Sequence, residues 1–196
     1  MNHNSTTPPN FHKENISVCH IVTSFPRYAG DPEVPWLVEA LNRLQKAGMS
    51  ITVFAPSFKG LADHRIGNIP VKRFRYFYSP FECLTHDEGA PNKIRTPFYK
   101  ILALFYLLFG SISIFRFCLA ERFDAIHVHW PFPQGLFGFV AARTCHAKLI
   151  LHFYTAELSL ARRWWLSRLF LRFMIKKADL AIAISTYARE QIRPAP

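Results

Sequence analysis

Apolar residues in the first part of the chain fall into two short runs separated by a helical repeat. Ile16–Thr23 and Ser50–Ala55 are rich in β-branched residues and are typical of buried strands. Between them, Asp31 fits the N-cap of a helix, Pro32 its first position and Gly48 its left-handed C-terminal cap. The apolar residues of this helix recur at helical spacing: Trp36, Leu37, Ala40, Leu41, Leu44 and Ala47. The pattern predicts a β–α–β unit, which is the start of a parallel sheet.

The rest of the chain continues the alternation of strands and helices. Further strands are predicted at Val71–Phe77, Ala125–His129, Lys148–His152 and Leu180–Ile184. Helices are predicted at Pro97–Phe123, Gln134–Thr144 and Leu160–Lys177, followed by a last helix that Ser185 caps and Pro194–Pro196 ends. Ser79–Thr96 is rich in Pro, Gly and charge and predicts irregular structure. This order predicts an α/β fold with a doubly wound, mostly parallel sheet and helices on both of its faces.

The composition supports a packed domain with an anionic partner. Of the 196 residues, 50% are hydrophobic, so we expect one domain over residues 16–193 after a disordered polar tail at residues 1–15. The formal net charge of +11 favours nucleic acid, an anionic membrane or phosphorylated substrates as partners. The four cysteines are far apart in sequence, which speaks against a zinc ribbon and a dense disulfide framework and favours reduced cytosolic thiols. No secretory signal is visible in the tail.

Polar side chains gather where three of the predicted strands end. Open parallel sheets bind ligands outside the carboxyl ends of their strands. The loop after the first strand contains Gly30 but no GxGxxG pattern, so the dinucleotide fingerprint is absent. His127 and His129 are two residues apart on a strand and therefore point to one face. His152 closes the next strand, and Glu157 follows it. A metal site would need a third ligand that the spacing does not supply, and the alternative is a pair of hydrogen-bonded histidines in the core or in a cleft.

Several segments, in their order along the chain, resemble the N-terminal domain of retaining glycosyltransferases of family 4. They are VTSFPRYAGDPEVPWLVEALNRLQKAGMSITVFAPS, IPVKRFRY, FDAIHVHWPFPQGLFGFVAAR, KLILHFYTAEL and KKADLAIAISTYAREQI. The resemblance implies a Rossmann-like domain that is one half of the two-domain GT-B architecture and that mainly recognises the acceptor. It also implies that a C-terminal domain binds the nucleotide sugar and supplies a pair of glutamates. The family usually needs no metal, and we expect no cofactor here.

The resemblance assigns roles to individual residues. Gly30 and Asp31 match the loop that faces the donor phosphates. His152 matches a histidine beside the reacting sugar, and we expect it to be catalytic. The expected acceptor-binding residues are His127, His129, Trp130, Glu157 and Ser185. Many members carry a second glycine in the first loop and a glycine in place of Phe153, so this sequence departs from the pattern at both positions.

The resemblance also sets expectations for partners. Because the sequence stops at Pro196, we expect the donor domain to be missing or separate and the fragment to be inactive alone. The expected substrates are a nucleotide sugar and a glycan or lipid-linked acceptor of the cell envelope, and the expected location is the cytoplasmic face of the membrane. Nucleic acid is not expected, because the basic residues are interleaved with bulky apolar ones. A membrane-associated binding module without catalysis is the alternative function.

Two apolar segments bear on membrane contact. Ile101–Phe115 carries no charge and is borderline for the roughly 20 residues that span a bilayer. Its length favours a buried or groove-lining helix, and a span would interrupt the alternation of strands and helices. In the second segment, Arg168, Arg172 and Lys176 repeat every four residues, mostly opposite Leu166, Phe170, Phe173 and Met174. Trp164 and Trp165 would suit a headgroup boundary, so this helix fits a membrane surface, or else it packs on the sheet with a solvated basic face.

Overall fold

The computed structural model describes residues 15–86, 93 and 96–192. Within these residues the chain forms a seven-stranded sheet in the order β3-β4-β2-β1-β5-β6-β7. The strands are β1 Ser17–Ile21, β2 Ser50–Pro56, β3 His64–Ile66, β4 Ile69–Phe74, β5 Ala125–His129, β6 Lys148–Phe153 and β7 Leu180–Ala183. All neighbouring pairs are parallel except β3 and β4. The predicted α/β fold with a mostly parallel sheet is therefore confirmed.

Six helices connect and flank these strands in the described part of the chain. They are α1 Pro35–Lys46, α2 Pro97–Ala120, α3 Pro131–Cys145, α4 Ala156–Arg163, α5 Trp165–Lys177 and α6 Thr186–Ile192. A short 3-10 turn at Ser79–Phe81 lies within the segment predicted to be irregular. The predicted disordered tail, apart from Asn15, and the predicted stop at Pro194–Pro196 lie outside the described residues.

Alternate residues of the central strands point into two separate cores. Cys19 and Ile126 point to the face that α2, α3 and α5 cover. Val18 and Val22 point to the opposite face, where they pack with Leu37 of α1. This alternation is the period of a β-strand, and it leaves both faces of the central strands covered.

The helices on the first face form one layer in the order α2, α3, α5. Gly110 of α2 lies against the ring of Phe137 in α3, where an added Cβ would come 2.5 Å from Phe137 Cζ. Gly135 of α3 similarly faces Met174 of α5. The ring centroids of Phe139 in α3 and Phe173 in α5 are 5.8 Å apart. The small residues let the helix axes approach closely, so the layer is packed along its whole width.

The prediction that Asp31 caps the first helix is wrong. The helix begins at Pro35, after Val34 in the left-handed region at φ 40°. The residue before a proline is disfavoured in the helical region, so the next proline, Pro35, sets the start instead of Pro32. Gly48, at φ 95°, does occupy the left-handed conformation predicted for the end of this helix.

The predicted single helix over Leu160–Lys177 is two helices. Trp164 is extended, at φ −122° and ψ 119°, and separates α4 from α5. The hydroxyl of Ser167 lies 2.8 Å from the carbonyl of Trp164 and 3.0 Å from that of Leu160, to which it can donate. These carbonyls also accept hydrogen bonds from the backbone N–H groups of Trp164 and Arg168, so Ser167 adds a side-chain hydrogen bond that links the end of α4 to the start of α5.

Candidate functional site

Four histidines lie side by side on three neighbouring strands. His20 of β1 pairs in register with His127 of β5, and His129 pairs with His152 of β6. The ring centroids of His127 and His129 are 4.4 Å apart, and those of His20 and His127 are 4.8 Å apart. The prediction that His127 and His129 share a face is confirmed, and the side-by-side pairing of His129 and His152 agrees with their predicted common place at the carboxyl edge.

His20 is the residue of this cluster that the sequence analysis missed. It lies inside an apolar strand, so its own neighbours in sequence give no sign of a site. Its partner is set by the parallel pairing of β1 with β5, which places it beside His127. The signal that could have found it is the shared face: His20 alternates with Cys19 and Ile21, so it points away from the core that they enter.

A chain of hydrogen bonds runs from the interior of this cluster to its edge. His20 Nδ1 is 3.0 Å from His129 Nε2, and His129 Nδ1 is 2.9 Å from the hydroxyl of Tyr154. If the Nδ1–H of His20 donates to His129, then His129 donates to the Tyr154 oxygen, and the Tyr154 proton points outwards. The opposite set of tautomers reverses every bond. Either way, the state of the half-buried Tyr154 hydroxyl is tied to that of two buried imidazoles.

Burial keeps these imidazoles neutral near pH 7. Desolvation, followed by the neighbouring histidines, lowers the pKa of His20 and of His129 well below the usual value. The same causes lower the pKa of His127 to about 4, and burial lowers that of His152. The cluster therefore offers neutral donors and acceptors to a ligand.

The histidines are also the residues that could hold a metal ion. One nitrogen from each of His20, His127 and His129 lies within 4.8 Å of the others. The sequence argument that no third ligand is available is therefore wrong, since β1 supplies one across the sheet. Among the described residues, His20 Nε2, His127 Nε2 and His152 Nδ1 are buried without a hydrogen-bond partner.

The geometry of the rings favours a hydrogen-bonded cluster over a coordination site. His127 and His129 meet through their faces, with an angle of 23° between the planes. Metal coordination instead needs the nitrogen lone pairs to converge on one point. Both nitrogens of His129 are already hydrogen-bonded, to His20 and to Tyr154.

Three aromatic side chains form a wall beside the histidines. The ring centroids of Trp130 and Tyr154 are 4.7 Å apart, and Trp36 of α1 lies 5.4 Å from Tyr154 and 5.9 Å from Trp130. Trp36 remains 48% exposed, so the wall presents a ring to solvent. Trp130 lies where it was predicted. Trp36 and Tyr154 were not predicted as site residues, and Trp36 was instead assigned to the apolar face of its helix.

Glu157 holds the end of β6 in place. Its side chain is buried, and Oε1 accepts a hydrogen bond of 2.6 Å from the N–H of Tyr154. Burial raises the pKa of this carboxyl, and its Oε2 has no hydrogen-bond partner among the described residues. The structure therefore places Glu157 directly behind Tyr154, where it fixes the turn that presents the phenol ring.

The first loop is closed by an internal ion pair. Asp31 accepts hydrogen bonds from the backbone N–H of Arg27 at 2.8 Å and from its Nε at 2.7 Å, and it accepts a further bond from the N–H of Glu33. Arg27 lowers the pKa of the Asp31 carboxyl to about 2. Gly30 is exposed at φ 86°, a conformation that favours glycine. Of the two residues predicted to face the donor phosphates, Gly30 is at the surface and Asp31 is engaged within the loop.

Ser185 lies at the start of α6, as predicted. Its hydroxyl accepts a hydrogen bond of 3.1 Å from the N–H of Ala188, which is the bond of a helix cap. In the described residues no hydrogen bond or ring contact joins Ser185 to the histidine cluster. The structure thus joins the predicted site residues of β5 and β6, and it shows no such contact for Ser185.

The comparison with protein families decides the classification. Residues 36–195 match the family model of Glycosyltransferase Family 4. The chain belongs to Glycosyltransferase Family 4. Among curated proteins no match is found. The matched range of this family 4 domain contains Trp36 and the strands that carry His127, His129 and His152, whereas His20, Gly30 and Asp31 precede it. The sequence resemblance is confirmed for the family and for the fold.

The residues predicted to contact a membrane lie on the exposed side of α5 and just before it. Trp164 is 57% exposed and Trp165 is 70% exposed. Arg168, Arg172 and Lys176 are exposed as well. The side that packs inwards is formed by Ser167, Leu171 and Met174. Leu166 and Phe173, which the sequence analysis placed on the apolar side opposite the basic residues, are exposed too.

Proposed function

We propose that this family 4 domain is the acceptor-binding half of a glycosyltransferase. The reaction would move a sugar from a nucleotide sugar to a glycan or lipid-linked acceptor of the cell envelope. The observation that carries the proposal is the joined cluster of Trp130, Tyr154, His129 and His152 at the carboxyl edge of β5 and β6. Family membership supports the class of reaction, and the edge of an open parallel sheet is where such folds bind ligands.

The aromatic wall suits the recognition of an acceptor sugar. The face of a sugar ring carries C–H groups that pack on aromatic rings, and Trp36 and Trp130 offer such rings beside polar imidazoles. Ligand sites commonly combine apolar walls with a few placed polar groups. The Tyr154 hydroxyl, held by His129, would then bond to a sugar hydroxyl and orient it.

His152 would lie beside the sugar being transferred. In the reaction, the acceptor oxygen forms a bond to the anomeric carbon, the bond from that carbon to the nucleotide phosphate breaks, and the acceptor proton leaves with the phosphate. A neutral imidazole can position a hydroxyl or stabilise developing charge at this centre. Gly30 and the loop that Asp31 closes would lie toward the departing phosphate.

The donor would be bound by a second domain, in a longer chain or in a separate one. Transfer requires that nucleotide sugar and acceptor meet in one cleft, and positioning of this kind provides a large part of the rate. We also propose that no metal ion takes part, because the ring geometry of the histidine cluster favours hydrogen bonding.

The domain would work at the cytoplasmic face of an anionic membrane. The exposed tryptophans and basic residues of α5 support this placement, since tryptophan suits the headgroup boundary and basic residues attract anionic lipids. A lipid-linked acceptor would then be presented close to the surface.

The test compares transfer by the isolated domain with transfer by the domain joined to a family 4 donor domain. Both are incubated with a panel of nucleotide sugars and membrane lipid extract, with and without EDTA. We expect turnover only when the donor domain is present, at a rate that EDTA leaves unchanged. Turnover by the isolated domain would contradict the division of labour, and loss of turnover in EDTA would point to a metal at the histidines. Absence of turnover in both samples, with binding of membrane lipid retained, would favour a binding module.

A further inference from the structure

The outer side of α2 is an uncharged apolar stripe that is exposed along the whole helix. Six large residues form the stripe: Ile101, Leu104, Leu108, Ile112, Phe115 and Leu119. Their spacing of three or four residues keeps them on one side of the helix. From the first to the last, the stripe is about 27 Å long at the rise of an α-helix. Exposed apolar patches of this size mark interaction sites.

The layer that carries this stripe has only one sign of charge. α5 carries Arg168, Arg172, Lys176 and Lys177; α2 carries Lys100 and Arg116, and α3 carries Arg143. None of the three helices contains an aspartate or a glutamate. All seven basic side chains are exposed, so the outer surface of the layer combines apolar area with positive charge alone.

The inner side of α2 shows that the helix belongs to the fold. Leu102, Tyr106, Gly110, Ile114 and Cys118 are buried along its full length. Tyr106 is 2.9 Å from the side-chain amide of Gln134 in α3, and Gly110 lies against Phe137. By length and composition α2 could cross a membrane, and it is the one such helix among the described residues. A crossing would separate this inner side from the sheet and break the core.

The positive charge of the layer indicates which kind of partner binds its surface. A second copy of the chain would bring seven basic residues toward the same seven, and like charges face-to-face oppose association. A bilayer that contains anionic lipids offers both things the layer needs, negative headgroups and an apolar interior, within a few ångströms of each other.

We propose that the layer of α2, α3 and α5 lies flat on an anionic bilayer. The outer stripe of α2 enters the boundary between headgroups and acyl chains, and α2 runs parallel to the membrane plane without crossing it. The basic residues of α5 contact the headgroups. The inference rests on the membrane part of the proposed function, and it adds α2 as the principal apolar contact.

This orientation leaves the candidate site uncovered. His127 and His129 point to the side of the sheet that α1 covers, because they alternate with Ile126 and Val128 of the opposite core. The bilayer would therefore contact the opposite side of the sheet, and the aromatic wall would remain open to an acceptor that emerges from the same membrane.

The experiment measures binding of the purified chain to sedimenting vesicles. Vesicles of neutral phosphatidylcholine are compared with vesicles that contain phosphatidylglycerol, at low and at high salt. Ile112→Glu places a charge in the stripe, and Ile16→Glu is its matched control, since these isoleucines are 41% and 45% exposed. Leu104→Glu, at a position that is 67% exposed, repeats the test where folding is least at risk. Circular dichroism melting confirms that each variant is folded.

We expect Ile112→Glu and Leu104→Glu each to weaken binding to anionic vesicles about tenfold, because they remove apolar contact and add a repelled charge. Ile16→Glu should bind like the unaltered chain. High salt should weaken binding further, since screening acts on the headgroup contacts. Alkaline carbonate should release the bound chain, as it does for proteins that do not cross the bilayer.

Other outcomes show which part of the proposal is wrong. Equal binding by Ile112→Glu and Ile16→Glu overturns the role of α2, and the double variant Arg168→Glu, Arg172→Glu then shows whether α5 alone binds the membrane. If that double variant also binds normally, α5 is not the membrane contact either, and the support that it gives to the proposed function fails; absence of binding by the unaltered chain to either kind of vesicle would overturn the membrane part as a whole. Resistance to carbonate would mean that α2 crosses the bilayer. If analytical ultracentrifugation of the protein alone shows a dimer that Ile112→Glu dissociates, the stripe is a contact between two copies of the chain. Each of the last two results contradicts the proposal.

Discussion

Side chains at the carboxyl edge of β5 and β6 contact one another because the strands that carry them are neighbours in the sheet. His129 contacts His20, His152 and Tyr154, so one imidazole links three strands. The sequence predicted His127, His129 and His152 because each lies at or near a strand end, and the family resemblance added Trp130. It could not predict His20 or the orientation of Tyr154, since these depend on which strands are neighbours and on the turn that Glu157 holds.

Replacement of His152 separates a catalytic role from a structural one. In the enzyme joined to its donor domain, we expect His152→Ala to lower turnover per folded molecule by roughly 100-fold or more, as loss of a group that stabilises developing charge does. The melting temperature should change little, because this side chain is only partly buried. Turnover is measured against the fraction that remains folded.

His129→Ala is the control on the neighbouring strand. It removes the hydrogen bonds to His20 and Tyr154, so we expect it to destabilise the domain and to weaken acceptor binding more than turnover. Near-normal turnover per folded molecule for His152→Ala would place His152 in the scaffold.

The buried histidines should make the domain sensitive to acid. The pKa of His127 is about 4 in the folded chain and about 6.5 when unfolded, so the unfolded chain binds more protons between these values. Stability is then complete above about pH 6.5 and falls as the pH drops toward 4, by an amount on the order of 3 kcal/mol for this residue. His20, His129 and His152 act with the same sign, since their pKa values are also lowered.

The check is urea unfolding of the unaltered chain and of His127→Gln between pH 7.5 and pH 4.5. The variant should lose less stability over this range than the unaltered chain. A parallel loss in both would show that His127 takes up its proton in the folded state as readily as in the unfolded one.

At the scale of elements, hydrophobic periodicity was sufficient for the order and type of most helices and strands. Hydrophobic periodicity failed for the strand and the helix boundaries that have no signal in the sequence pattern. β3, His64–Ile66, has one apolar residue that is buried, and its antiparallel pairing with β4 was not predicted. The break at Trp164 was missed because the apolar and basic pattern on either side of it contains no proline or glycine that would mark the end of a helix. The helix start at Pro35 was missed because Pro32 satisfies the same rule.

The contact of α2 with α3 can be tested by adding volume at Gly110. A Cβ at this position would lie 2.5 Å from Phe137, whose ring is fully buried and cannot move aside. We therefore expect Gly110→Val to destabilise the domain by about 1–3 kcal/mol, as overpacking does. Leu104→Val, on the exposed side of the same helix, should cost about 0.5 kcal/mol or less. Chemical denaturation gives both values, and equal values would show that the two helices can separate at this point.

At the scale of the whole molecule, the sheet separates two different surfaces. The aromatic wall and the histidines lie at the carboxyl edge on the side of α1, and the basic, apolar layer of α2, α3 and α5 covers the other side. The net charge of +11 indicated an anionic partner from composition alone. The concentration of basic residues on one layer could be seen only once the helices were assigned to faces, because this depends on the handedness of the connections.

The central claim is that this domain recognises the acceptor, and ligand binding by the isolated chain tests it most directly. Tryptophan fluorescence is recorded during titration with glycan and glycolipid acceptors and, separately, with nucleotide sugars, for the unaltered chain and for Trp36→Phe. We expect saturable changes with acceptors, reduced in Trp36→Phe because the exposed ring of the wall is altered, and no saturable change with nucleotide sugars. Saturable binding of nucleotide sugars with no response to acceptors would contradict it.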